Sequence, residues 1–295
     1  MSSALVEIDA LEALVIVDND LDLMSPPAPG PVKVSRLLGE IGLTSPYHVH
    51  DRAEATKEFR LEDVCCSAHG LSVLLAACSR PIQMIKEAKT KKGSSSDDLV
   101  VDLHPSRPDY RGIRMPSEIV SLEADPTFEE IEQAGAKVEK HSEAHTVLDN
   151  MFLISGEIPR ETEYEIGLKF GVRFHKDSGK WESDELINDE RFLACNIKGK
   201  GIVVFSGCSH AGIVNATRHA VDLVGKGNPV YAVFGGYHLS MSEKAHLDAT
   251  VQDLKLLDPK VLLPGHCSGW RVKFEIEKEM PGRLVPSSVG FRLAF

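Results

Sequence analysis

The chain has 295 residues, 42% of them hydrophobic and 26% charged, enough for one large core or two smaller ones. Thirty-three Lys and Arg against 44 Asp and Glu leave a net charge of −11, which disfavours nucleic acid as a partner because phosphate backbones are repelled. No apolar run approaches the roughly 18–20 residues that span a bilayer, and Met1-Ser2-Ser3-Ala4 does not open a secretory signal, so a cytoplasmic protein without membrane contact is expected.

In chain order, Leu11–Val17 alternates and runs into Asp18-Asn19-Asp20, a strand closed by turn formers. Residues 25–31 form a proline-rich loop that cannot hold regular hydrogen bonding. Ala68–Ala76 reads as a buried strand, Ile82–Lys89 as a helix and Lys89–Asp98 as a charged, Ser/Gly-rich linker. Then come a strand at Leu99–Leu103, a helix at Phe128–Ala134 and a strand at Val147–Ile154, closed by Ser155-Gly156-Glu157-Ile158-Pro159-Arg160. The last hundred residues are clearest: strands at Gly201–Phe205, Val230–Phe234 and Val261–Leu263 alternate with helices at Ile213–Val224 and Ala245–Leu257. This alternation predicts an α/β layered fold in a single domain, 1–295.

Six cysteines without a C-x-x-C pair give neither a disulfide framework nor a zinc ribbon. Cys208 and Cys267 stand apart from the rest because each lies beside a histidine. Each of the three late strands ends in a glycine-containing turn carrying one histidine: His210, His238 and His266. Loops at strand ends of α/β sheets converge on one side, and imidazole is the commonest metal ligand, so the three predict a zinc or iron site. Cys208 and Cys267 are candidate soft ligands at the same centre, although small buried packing is the better reading of Cys267. Taken singly, each histidine is more often a surface or hydrogen-bonded core residue than a ligand; the context shared by the three favours a metal site. His48-Val49-His50-Asp51 imitates the start of an H-x-H-x-D-H zinc motif, but Arg52 and Ala53 stand where Asp and His are required.

Six ordered stretches resemble the metallo-β-lactamase-fold hydrolases, in particular the branch named for the dihydropterin-linked ribofuranosylaminobenzene phosphate synthase of archaeal methanopterin biosynthesis. They are residues 15–20, 68–72, 155–160, Ser206-Gly207-Cys208-Ser209-His210-Ala211-Gly212-Ile213-Val214-Asn215, Gly235-Gly236-Tyr237-His238-Leu239 and Pro264-Gly265-His266-Cys267-Ser268-Gly269. The resemblance implies a four-layer αβ/βα sandwich with a dinuclear metal site at one edge. It implies His266 as the last metal ligand, with His210 or Cys208 at the mid-chain ligand position. It also implies Glu157 and Arg160 as pocket residues, Arg160 suiting a phosphate or carboxylate; the alternative is a strand-end turn with a surface ion pair.

The family's H-x-H-x-D-H signature occurs nowhere in the chain. Residues 74–81 pass directly into the Ile82–Lys89 helix where that family places further strands and the histidine loop. The first half is therefore expected to be incomplete, with an internal deletion near 76–81 such as exon skipping would produce. Without those ligands a dinuclear centre cannot form, which leaves at most a single weakly held ion: zinc, or alternatively iron or manganese. The expected function is a metal-dependent hydrolase or synthase-like protein for a small anionic molecule, which Arg160 and Arg271 would meet, impaired by the lost motif. The alternative is a degenerate member that binds a ligand or partner without turnover.

Overall fold

The computed structural model describes residues 5–14, 33–36, 99–122, 125–288 and 291–295. Its first elements are β1 (Glu7–Ile8), β2 (Glu12–Leu14), β3 (Lys33–Arg36), β4 (Val100–Leu103), β5 (Tyr110–Arg114), β6 (Ile119–Ser121) and α1 (Phe128–Gln133). There follow β7 (Lys137–Lys140), β8 (His145–Val147), β9 (Phe152–Ile154), β10 (Gly171–His175), β11 (Lys180–Ser183) and β12 (Phe192–Ile197). The last part holds β13 (Gly201–Ser206), α2 (Ile213–Val224), β14 (Val230–Gly236), α3 (Lys244–Leu257), β15 (Val261–Gly265), α4 (Trp270–Glu279) and β16 (Phe291–Ala294).

A seven-stranded sheet in the order β15-β14-β13-β12-β9-β8, with β1 also paired to β12, is the centre of the molecule. Its β13, β14 and β15 are mutually parallel, joined by α2 and α3, and every residue in them is buried. Strands covered on both faces read as unbroken apolar runs, which is why this part was so plain in the sequence. The side chains still alternate. Val203, Phe205, Ala232, Phe234, Val261 and Leu263 point to one face and pack with Phe291 and Leu293 of β16. Ile202, Val204, Val233 and Leu262 point to the other and meet α2, α3 and α4 through Ile213, Val214, Ala216, Val251 and Ile276. A helical layer, the central sheet and the three-stranded β2-β16-β3 sheet thus stack in order. A fourth, outer helical layer is not seen among the described residues.

The expected strand at Val147–Ile154 is instead the hairpin β8–β9, with Val147 opposite Phe152. Leu148, Asp149 and Asn150 all take left-handed φ of 52–63°, so the chain reverses there; Asp and Asn tolerate that region and mark turns. The antiparallel sheet β11-β10-β5-β6 and the helix α4 had no sequence counterpart. The proline-rich loop, the strand at 68–76, the helix at 82–89, the linker, His48, His50 and Asp51, and the proposed deletion near 76–81 all lie outside the described residues.

Candidate metal centre

The three late strands end side by side, and their loops carry the expected histidines to one place. Ser209, His238 and His266, one in each loop, have left-handed φ of 58°, 51° and 50°. Non-glycine residues seldom adopt this conformation, which costs of order 1–3 kcal/mol and clusters at functional sites. The glycines have another use. A Cβ on Gly236 would stand 2.8 Å from Cys267 Sγ and 3.0 Å from His266 Cδ2, so only glycine lets the β14 end approach the β15 loop this closely. Gly236 N–H also donates to Gly207 O at 2.7 Å, and Tyr237 N–H to Ser268 Oγ at 3.0 Å, fastening the loops to one another.

Cys208 Sγ lies 2.7 Å from His266 Nε2, and Cys267 Sγ lies 3.4 Å from Cys208 O. One ligand atom from each of Cys208, His266 and Cys267 falls within 4.8 Å of the other two. The rings of His210 and His238 sit 4.6 Å apart at 58°. Cys267 connects the groups: its hydrogen bonds to Cys208 and His238 and the nearby His266 ring hold its thiol well below the ordinary value, against the opposing effect of burial. The structure therefore draws together Cys208, His210, His238 and His266, and Cys267 with them.

His210 is held by a residue that the sequence did not single out. Glu190 accepts from His210 Nδ1 at 2.9 Å and from His210 N–H at 3.0 Å through one oxygen, and from Ala211 N–H at 2.7 Å through the other. This turns Nε2 of His210 away from Glu190, the orientation that carboxylate-backed histidine ligands use. Burial opposes both charges, yet the pairing prevails: the His210 pKa is raised and that of Glu190 is lowered to about 2.

The loop is anchored on its far side too. Helix α2 has glycine at its cap position and no side-chain cap of its own. Glu165 takes that place, accepting from Val214 N–H and Asn215 N–H, both at 2.9 Å. A Cβ on Gly212, whose φ is +96°, would overlap this carboxylate. Asn215 Oδ1 accepts in turn from Glu161 and Thr162 N–H, which joins the segment after Arg160 to the start of the helix.

Arg160 lies against the centre with its guanidinium on the backbone: Nη1 donates to His210 O at 3.0 Å and Nη2 to Leu186 O, while Nε is buried without a partner among the described residues. Arg271 likewise donates to Ser240 O and Ser242 O. Glu157 is exposed at the strand-end turn.

A crystal structure of a metal-dependent hydrolase of the β-lactamase superfamily superposes with a TM-score of 0.61 at 15% identity, covering 95% of this chain and 97% of that one. The chain has the metallo-β-lactamase fold. Over about half its length it is similar to the 7,8-dihydropterin-6-methyl-4-(β-D-ribofuranosyl)-aminobenzene-5′-phosphate synthase of Methanocaldococcus jannaschii, 32% identical over 146 residues, which is 49% of this chain and 48% of the synthase. An uncharacterised protein of the same archaeon is 35% identical over 124 residues, 42% of this chain and 43% of its own. The matched region thus spans about half the length of these curated relatives. No protein-family profile matches the chain. The structural superposition leaves little of either metallo-β-lactamase fold uncovered and does not display the incompleteness expected of the first half. Among the described residues no helix is long and apolar enough to cross a membrane.

The donors fit a borderline-soft cation. Thiolate and imidazole together select zinc or a neighbouring first-row metal, and loops braced by Glu190, Glu165 and Arg160 keep those donors in place. When bound, such an ion supplies Lewis-acid activation. Glu190 orients His210, and Arg160 fixes the His210 carbonyl while setting a positive charge beside the site.

Proposed function

We propose that this chain is a metal-dependent hydrolase-type protein of the metallo-β-lactamase fold that acts on a small anionic molecule. Cys208, His210, His238 and His266 are its metal residues, joined by Cys267. The observation that carries this reading is the convergence of these donors at three adjacent strand ends. The synthase named above makes, by its name, a phosphorylated pterin-linked compound, and the charge of −11 argues against polyanionic substrates. Arg160 contributes positive charge beside His210, and Glu157 is exposed in the 155–160 segment that carries Arg160. Since H-x-H-x-D-H is absent from the sequence, turnover is reduced relative to superfamily members that carry it.

Cobalt(II) loading tests this. The expected result is a sulfur-to-cobalt charge-transfer band that disappears in His266→Ala and Cys208→Ser, with slow cleavage of small phosphate or carboxylate esters. Absence of the band overturns the metal assignment, and turnover matching a complete superfamily enzyme overturns the impairment. The second reading, a ligand-binding member without turnover, is favoured by the missing motif alone; it predicts the band and no ester cleavage.

A further inference from the structure

A second group of donors lies outside the centre just described. Asp102 on β4 faces His141, which follows β7, and His145, the first residue of β8. Strands β4 and β7 are parallel, Leu103 is level with Lys140, and His141 N–H continues the ladder to Leu103 O at 3.1 Å. Asp102 Oδ2 lies 2.5 Å from His141 Nδ1 and 3.0 Å from His145 Nε2, and the two rings are 4.1 Å apart. Asp102 Oδ1 is taken by Arg191 Nη1 at 2.6 Å, and Arg191 also donates to the carbonyls of Asp102 and His141. Arg191 therefore fixes the carboxylate and the loop and leaves Oδ2 to the histidines.

The bonding of His145 is the decisive point. Its Nδ1 is 3.0 Å from Glu143 O, and its Nε2 is 3.0 Å from a carboxylate oxygen. Both partners only accept, whereas a neutral imidazole has one N–H to give. In the neutral ring, with Nδ1–H given to the carbonyl, Nε2 presents a lone pair to Asp102, and either a proton or a metal cation between them relieves the opposition. From this geometry we infer that Asp102, His141 and His145 form a binding site for a first-row divalent cation, independent of the Cys/His centre. Two imidazole nitrogens and one carboxylate oxygen are a donor set for zinc, iron(II), manganese or cobalt. The carboxylate is braced from behind by Arg191, as ligating carboxylates usually are. Asp102 is 10% exposed while the His141 side chain is 41% exposed, which gives the ion a way in.

The site is tested by titrating the metal-free full chain with cobalt(II) and with zinc against a chromophoric chelator. The expected stoichiometry exceeds the ions accounted for by the sulfur-to-cobalt band by one equivalent. The double variant His141→Gln, His145→Gln loses that equivalent and keeps the band; Cys208→Ser with Cys267→Ser loses the band and keeps the equivalent. Should the double variant fold poorly, His141→Gln alone, at the more exposed ring, is expected to weaken the extra site at least tenfold. Unchanged stoichiometry and affinity in the histidine variants overturns the inference. It is equally overturned if nitrogen NMR finds His145 carrying protons on both ring nitrogens at saturating zinc. Absence of the band in the parent chain, with the extra equivalent present and lost in the histidine variants, would count against the Cys/His centre only.

Discussion

Replacing Glu190 with Gln probes how the metal loop is held. The carboxylate is 10% exposed and accepts three N–H groups, two of them from His210. Hydrogen bonds to a charged group contribute about 1.5–3 kcal/mol each, and an amide offers one oxygen and a donor. Whichever way Gln turns, its NH2 meets at least one N–H. The same contacts, acting against burial, lower the Glu190 pKa from 4.5 to about 2, which corresponds to about 3 kcal/mol of stabilisation. Glu190→Gln is therefore expected to destabilise the metal-free protein by about 2–4 kcal/mol at neutral pH, and to weaken zinc about 10–100-fold through misorientation of His210.

The pH dependence has a definite sign. The depressed Glu190 pKa gives stability present above pH 4.5 that is lost as pH falls toward 2. The raised His210 pKa gives stability present below pH 6.5 that is lost as pH climbs through the folded value. Parent and variant, unfolded in urea with a chelator present, should differ most between these two limits and converge in acid. A difference that is flat from acid to neutral pH, or zinc affinity unchanged in the variant, would refute the reasoning.

Other consequences are open to measurement. Glu165→Ala leaves the first turn of α2 without its cap, and should cost about 1–3 kcal/mol by denaturant unfolding and loosen the 207–212 loop in amide exchange. Phe234→Ala removes a fully buried ring stacked edge-on against Phe205, and should lower stability by about 3–5 kcal/mol in the same assay. Burial pushes the Cys195 thiol to about 12, so in the folded, metal-free protein mass spectrometry should find Cys267 alkylated well before Cys195. Equal labelling of the two would contradict the placement of either one.

The parallel strands were legible because burial on both faces leaves no polar alternation to confuse the pattern, and the histidines were legible because each follows such a strand within a glycine turn. Strand β5, Tyr110-Arg111-Gly112-Ile113-Arg114, was not: its charged residues find partners far away in sequence, Arg111 bonding Asp184 and Asp189. Glu190 was hidden for the same reason. A carboxylate in a run of charges gives no hint that it will turn inward to a histidine twenty residues on. Cys267 stands with Cys208 and His266 only because two loops meet, and the spacing along the chain does not record that meeting. His141 and His145 stand four apart with no helix between them, so no periodicity marked them as a pair.

Asp189, Glu190 and Arg191 reach three different parts of the molecule: Arg111 on β5, the His210 loop, and Asp102 on β4. Phe192, the next residue, begins β12 in fixed register with β13. A single residue inserted between Arg191 and Phe192, with β12 held in register, would shift all three partners together and set Arg191 where the acid of Glu190 is needed. Substitutions here act one at a time, but a change in length acts on all three at once. Among relatives sharing this arrangement, the segment is expected to vary in composition well before it varies in length.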